Sequence, residues 1–158
     1  MHLNARLVAK GYMQTYDVDY LETFSPVAHL NFVWILLSVA VSHSWPLYQL
    51  NIKNAFLHGD LKEEVYMEQP LGYVVASSEH LVCRLRKALY GLKQSPHAWF
   101  DRLSVVVLGY GFQHSTSNHS VFVRHSSTSN IIFIFYVDDI IISRSDSTSI
   151  ANLKTYLS

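Results

Sequence analysis

One cysteine, Cys83, is all that the chain holds, so no intrachain disulfide can form and a reducing compartment is the default setting. Charge is scarce too. Asp, Glu, Lys and Arg make up 15% of the 158 residues, against roughly a quarter in ordinary soluble domains. Twelve Lys+Arg balance twelve Asp+Glu. That balance excludes a global cationic field, the usual source of non-specific affinity for nucleic acid. No apolar run approaches the roughly 20 residues that cross a bilayer, and the most apolar stretch, 32–41, suits a buried helix. The first residues, Met1-His2-Leu3-Asn4, carry no secretory pattern. The nine histidines are scattered, with neither metal-ligand spacing nor cysteine partners. Repeats and low-complexity tracts are absent. Apolar residues, in contrast, reach 49%, enough for a sizeable core in one domain. With so little charge, part of the surface is expected to need a neighbour.

The residue pattern predicts an α+β chain with helices packed on an antiparallel sheet. Residues 5–12 suit a strand carrying Arg6 and Lys10. Ser25-Pro26 suits a turn or helix start. A helix is expected over 31–42, with Asn31 as its N-cap and Trp45-Pro46 as its breaker. Strands are expected at 47–52, 64–68 and 81–85, with a turn at His58-Gly59-Asp60. Ser95-Pro96 opens a second helix, to about Leu108, with Trp99, Leu103, Val106 and Val107 at helical spacing. Segments 120–124 and 131–137 form a hairpin around the polar patch 126–130. Segment 140–143 is the next strand, and 150–157 begins a last helix.

The most informative stretch is Tyr136-Val137-Asp138-Asp139. Two adjacent carboxylates interrupt the apolar runs 131–135 and 140–142, each of strand length and rich in β-branched and aromatic residues. Asp-Asp is compatible with turn geometry. Two charges at the edge of an apolar sheet are costly to desolvate unless a hard divalent cation compensates them. Read alone, the pair suits a solvated hairpin tip equally well. Asp17, Asp19 and Glu22 form an acidic run that reads as a solvated loop.

The pair stands last in an ordered series of motifs. Before it come Thr23-Phe24-Ser25-Pro26-Val27-Ala28, Gln49-Leu50-Asn51-Ile52-Lys53-Asn54-Ala55-Phe56, Glu63-Glu64-Val65-Tyr66-Met67 and Leu89-Tyr90-Gly91-Leu92-Lys93-Gln94-Ser95-Pro96. The series resembles the reverse transcriptase of Ty1/copia-type LTR retrotransposons over essentially the whole chain. The resemblance implies a partial right-hand polymerase domain, about 1–45 fingers-like with a leading helix and about 46–158 palm-like, with a ferredoxin-like palm sheet and no thumb. It implies templated addition of deoxynucleotides to a primer, with two Mg²⁺ ions clamping the reacting oxygens, and so primer–template and nucleotides as partners. By motif match, Asp138 and Asp139 are metal carboxylates. Phe56 is the aromatic that excludes a ribose 2′-hydroxyl, although the residue alone reads as a core Phe. Arg6 is the fingers cation toward the triphosphate. Tyr90, Gly91, Gln94 and Ser95 line the template and nucleotide pocket, where the residues alone read as a helix start after a Gly turn.

Several positions depart from that pattern. Asn51 stands where the family has the Asp shared by both ions, so the site has an amide in place of its third carboxylate. A dication lacking one anionic ligand loses gross Coulomb energy on the order of 10 kcal/mol at an effective dielectric of about 20, partly returned by water. The expectation is a catalytically dead or nearly dead copy. Asp17 and Arg144 stand where Gly is usual, Trp34 and His97 where Arg is, Leu71 where Pro is, and Asn118 where Asp is. Each is reachable by one transition in a suitable codon, as expected for a decaying genomic copy, whereas Asn4, where Lys is usual, does not fit that direction; a nucleotide sequence dominated by transversions would refute that origin. The alternative function is a nucleic-acid- or protein-binding module that keeps the fold without catalysis; an unrelated metallohydrolase fits the motifs poorly.

Overall fold

In a computed structural model, the structure describes residues 7–25, 28–70, 72–73, 81–127, 130–137 and 139–144. Arg6, Pro26, Leu71, Asp138 and the expected helix 150–157 lie outside them. The fold is α+β. The elements in chain order are α1 (Leu30–Ser42), β1 (Leu47–Asn51), β2 (Asp60–Glu68), β3 (Val82–Lys87), α2 (Ser95–Gly109), β4 (Gln113–His114), β5 (Val121–His125), β6 (Asn130–Tyr136) and β7 (Asp139–Arg144). Contacts divide the chain into two compact units, one of residues 1–24 and 56–102, the other of residues 25–55 and 103–158.

The second unit holds a five-stranded sheet in the order β1-β7-β6-β5-β4, every described neighbour antiparallel. The β-branched and aromatic runs form its centre: Phe133, Ile140, Ile142 and Phe122 are fully buried. Register places Phe133 opposite both Phe122 and Ile142, on one face. Phe133 meets Phe122 and Phe112 edge to face, at centroid distances of 5.7 and 5.9 Å, a geometry that suits the ring quadrupoles. Ile134 and Val121, on the opposite face, cluster with Ala28 and Leu36, so α1 covers that side. The first unit holds the two-stranded sheet of β2 and β3. There Gly59 is packed so closely that a Cβ would lie 2.8 Å from the backbone of Ala98 and Trp99.

The two helices and most strands stand where periodicity put them. The differences have local causes. Segment 7–10 is not a strand: Ala9 N donates to Tyr90 O at 2.7 Å, Lys10 O accepts from Met13 N at 2.9 Å, and the chain leads into a 3-10 turn at Gly11–Met13. α1 starts at Leu30, one residue before Asn31, and His29 occupies the capping position without a side-chain bond, so Asn31 is not the cap. β2 starts at Asp60, four residues early, because Asp60 pairs with Lys87 across an irregular register. β4 is two residues long, below what periodicity detects. Arg144, which stands where Gly is usual and would strain a turn that needed positive φ, is strand backbone opposite Ile131, so no such strain arises.

Asp17 shows that strain instead. Its φ is 68°, in the left-handed region that glycine occupies freely and Asp enters at a modest penalty. Asp17→Gly is expected to raise unfolding free energy by about 0.5–1 kcal/mol, read as a higher urea midpoint with unchanged slope.

Candidate functional site

Two constellations carry the predicted site residues, one in each unit. In the five-stranded unit the sheet register sets the geometry. Asn51 is the last residue of β1 and Asp139 the first of β7, and the ladder pairs them directly. Their side chains meet: Asn51 Nδ2 donates to Asp139 Oδ1 at 3.3 Å. Tyr136 pairs with Asp139 across the hairpin, and Val137 is the described residue of its tip. Asp139 is therefore strand, not turn, while Asp138 lies outside the described residues.

Val137 opens that tip at φ 59°. Two-residue hairpins call for positive φ, which suits Gly or Asn, whereas a β-branched residue there is a genuine outlier. The backbone beside the carboxylates is thus held in strain of about 1–2 kcal/mol. Val137→Gly should relieve it and raise stability by about 1 kcal/mol; an unchanged denaturation midpoint would show no strain there.

A divalent cation requires several oxygen ligands, carboxylates foremost. Of the described residues at this edge, Asp139 alone is an anion, and the Asn51 amide offers it a donor. Among the described residues no group of three or more His, Cys, Asp and Glu side chains is placed to hold a metal ion. The described donors do not fit a pair of ions.

In the other unit, Phe56 and Tyr90 stack obliquely with ring centroids 4.7 Å apart, and both are half-buried. Phe56 is thus not the core residue that it resembles in isolation. Gly91 has φ 94° and lies so near Ala9 that a Cβ would overlap the Ala9 carbonyl oxygen. Gln94 is 1% exposed. Its amide is used at both ends, accepting from Gln14 Nε2 at 2.9 Å and donating to the Asp19 carbonyl at 2.9 Å. Ser95 Oγ donates to Leu89 O at 2.6 Å and closes the loop.

Sequence reasoning missed the residues that complete this network. Lys93 Nζ donates to Gln14 O at 3.0 Å and lies 4.7 Å from the centroid of the Tyr20 ring. Asp19 accepts from Thr15 N at 2.7 Å, which ties down one turn of the acidic run read as a solvated loop, where Asp17 and Glu22 are exposed. The signal was present in Lys93-Gln94, but its partners lie more than seventy positions away.

The same unit has a concavity of about 390 Å³ whose lining includes Asp17, Glu22, Asp60, Glu63 and Asp101. Lys62 bonds to Asp101 at 2.6 Å and is held protonated above the ordinary lysine range by that hydrogen bond. The Lys87 ammonium, bonded at 2.5 Å, holds Asp60 below the usual carboxylate range. His97, also lining it, contacts Phe24 O through Nδ1 at 2.6 Å and Asp101 through Nε2 at 3.6 Å. Lys62 and Lys87 offset Asp101 and Asp60, and the remaining carboxylates leave the lining net negative, which disfavours a bare phosphate there.

The sequence matches, over residues 1–158, the family model described as reverse transcriptase (RNA-dependent DNA polymerase). It is 49% identical over 154 residues to the Retrovirus-related Pol polyprotein from transposon RE1 of Arabidopsis thaliana, covering 98% of this chain and 10% of that protein. To the corresponding polyprotein from transposon RE2 of the same plant it is 49% identical over 154 residues, with 98% and 11% covered. To that from transposon TNT 1-94 of Nicotiana tabacum it is 44% identical over 155 residues, with 98% and 12% covered. The chain thus spans about a tenth of the length of these relatives. No solved structure matches it.

Proposed function

The chain belongs to the reverse transcriptase family of copia-type retrotransposon Pol polyproteins, and from that premise we propose that it is a polymerase-domain segment whose metal site has been disabled by the amide at position 51. The family works with divalent metal ions and nucleic acid, and no helix among the described residues is long and apolar enough to cross a membrane. In this reading residues 1–158 are part of one reverse transcriptase domain, about 1–45 fingers-like and about 46–158 palm-like. Asp138 and Asp139 are the carboxylates meant for Mg²⁺. Phe56 stands for the aromatic that excludes a ribose 2′-hydroxyl, Tyr90 and Gly91 for the loop lining the template and nucleotide pocket, and Arg6 for the cation that meets the phosphates. Gln94 acts by fixing the loop at 14–19.

The observation that carries the reading is the 3.3 Å bond from Asn51 to Asp139. An Asp at 51 would set two carboxylates against each other and leave a cation as the natural resolution. Asn replaces one of those charges with an amide donor, so the pair carries one negative charge where the family pattern has two and attracts a metal less. Calorimetric titration with Mg²⁺ and with Mn²⁺ tests this: weak or undetectable binding is expected. Two-site binding at micromolar metal would overturn it.

A further inference from the structure

The backbone N–H of Lys93 lies outside the helices and strands, between the turn at Tyr90-Gly91 and Ser95, the first residue of α2. A part-buried backbone donor in such a place needs an acceptor from elsewhere in the chain. The Gln14 side chain supplies it, accepting from Lys93 N through Oε1 at 2.8 Å. The other end of the same amide is used as well, and Gln14 Nε2 donates to Gln94 Oε1 at 2.9 Å. One side chain thus accepts from the backbone at Lys93 and donates to the side chain of the next residue. A long amide can do both. A carboxylate keeps the acceptor and loses the donor, and Asn is one methylene shorter.

The turn that carries Tyr90 is gripped at both ends. Leu92 N donates to Leu89 O at 3.2 Å and Gly91 stands at φ 94°, the geometry of a tight turn with Tyr90 at its first corner. At the entrance, Tyr90 O accepts from Ala9 N at 2.7 Å. At the exit, Lys93 N is held by Gln14. Segment 9–14 therefore spans the turn, and the Tyr90 ring that the turn carries lies 4.7 Å from Phe56, centroid to centroid.

We infer that Gln14 is a positioning residue for the Phe56–Tyr90 pair. By accepting from Lys93 N it fixes the exit of the turn, and so the direction from which the Tyr90 ring meets Phe56. No motif in the sequence singles out Gln14, because its partners stand 79 and 80 positions away. Its consequence for the reaction rests on the reading of Phe56 and Tyr90 as part of a deoxynucleotide pocket; the ring geometry itself does not.

The ring resonances of Tyr90 in the full chain test the positioning. In the parent they carry the ring-current shift of Phe56, and Phe56→Leu gives their values without it. Gln14→Ala should move them most of the way to those values and speed exchange of the Lys93 amide about tenfold. Gln14→Glu retains the acceptor, so both readouts should return to those of the parent. Should Gln14→Ala lose the parent's circular dichroism, Gln14→Asn takes its place. Tyr90 signals that stay at their parent values overturn the inference, and so does a Gln14→Glu variant that behaves as Gln14→Ala. In the Asn51→Asp background, adding Gln14→Ala should raise KM for the deoxynucleotide about tenfold and leave kcat little changed; an unchanged KM also overturns it. Failure of Asn51→Asp itself to extend a primer counts against the polymerase reading instead, and the Tyr90 signals still decide the role of Gln14.

Discussion

Asn51→Asp is expected to raise metal-dependent primer extension about a thousandfold and to make the protein's stability depend on divalent metal. Both effects follow from one pair of side chains. In the parent, the Asn51 amide donates to Asp139 at 3.3 Å and leaves the single charge of Asp139 at the contact. With Asp at 51, two carboxylates oppose each other at paired positions of β1 and β7. Like charges about 4 Å apart repel by about 4 kcal/mol at an effective dielectric of 20, and solvent around this exposed pair screens the net penalty to about 1 kcal/mol. In chelator the variant should therefore unfold at lower denaturant than the parent. Added Mg²⁺ or Mn²⁺ should reverse the order, because a cation that binds the native carboxylates stabilises only the folded state. Regaining about 4 kcal/mol of transition-state stabilisation corresponds to the thousandfold gain. Parent and variant of equal activity, or a variant whose melting ignores metal, would remove the basis for the inactive reading.

The site was legible in the sequence to the extent that its chemistry is local. Tyr136-Val137-Asp138-Asp139 announced a hairpin with carboxylates because alternating apolar runs and a polar interruption are short-range signals. What the residues could not reveal is that Asn51 and Asp139, 88 positions apart, would be direct partners; that depends on β1 pairing with β7 after a long crossover. The resemblance to reverse transcriptases brought the two together before any geometry did. Two of the expected glycine positions divided on backbone grounds. Asp17 sits at positive φ, where glycine is at ease, whereas Arg144 lies in a strand. At Asn118, where Asp was expected, the amide oxygen accepts from Ser120 N at 2.9 Å and from Ser120 Oγ at 2.6 Å, so the change preserves the turn. The same exchange of acid for amide that is harmless at a turn is decisive at a metal site, because only the second needs the charge. Segment 7–12 misled for a different reason: its alternation suits a strand, but Gly11 and Gly91 bring two backbones too close for a ladder.

That close approach leads to the second large effect. Gly91→Ala is expected to cost about 3 kcal/mol and to release the segment 7–13. Gly91 lies at φ 94°, where a side chain is strained by about 1–2 kcal/mol before any contact is considered. Its added Cβ would also overlap Ala9 O and lie 2.9 Å from Val8 Cγ1. Ala9 O is backbone and cannot swing aside, so the chain at 8–9 must move and the bond from Ala9 N to Tyr90 O must lengthen. Gly72 separates the two causes. It has φ 88°, but nothing lies within 4 Å of where its Cβ would stand. Gly72→Ala should therefore show the conformational strain alone, about 1–2 kcal/mol, and the remainder in Gly91→Ala measures the backbone contact. Amide exchange at Ala9 should accelerate in the second variant and not in the first. If both substitutions cost the same and Ala9 exchanges alike in each, segment 7–11 does not rest on the Tyr90–Gly91 turn, and the loop proposed to line the nucleotide pocket lacks that support.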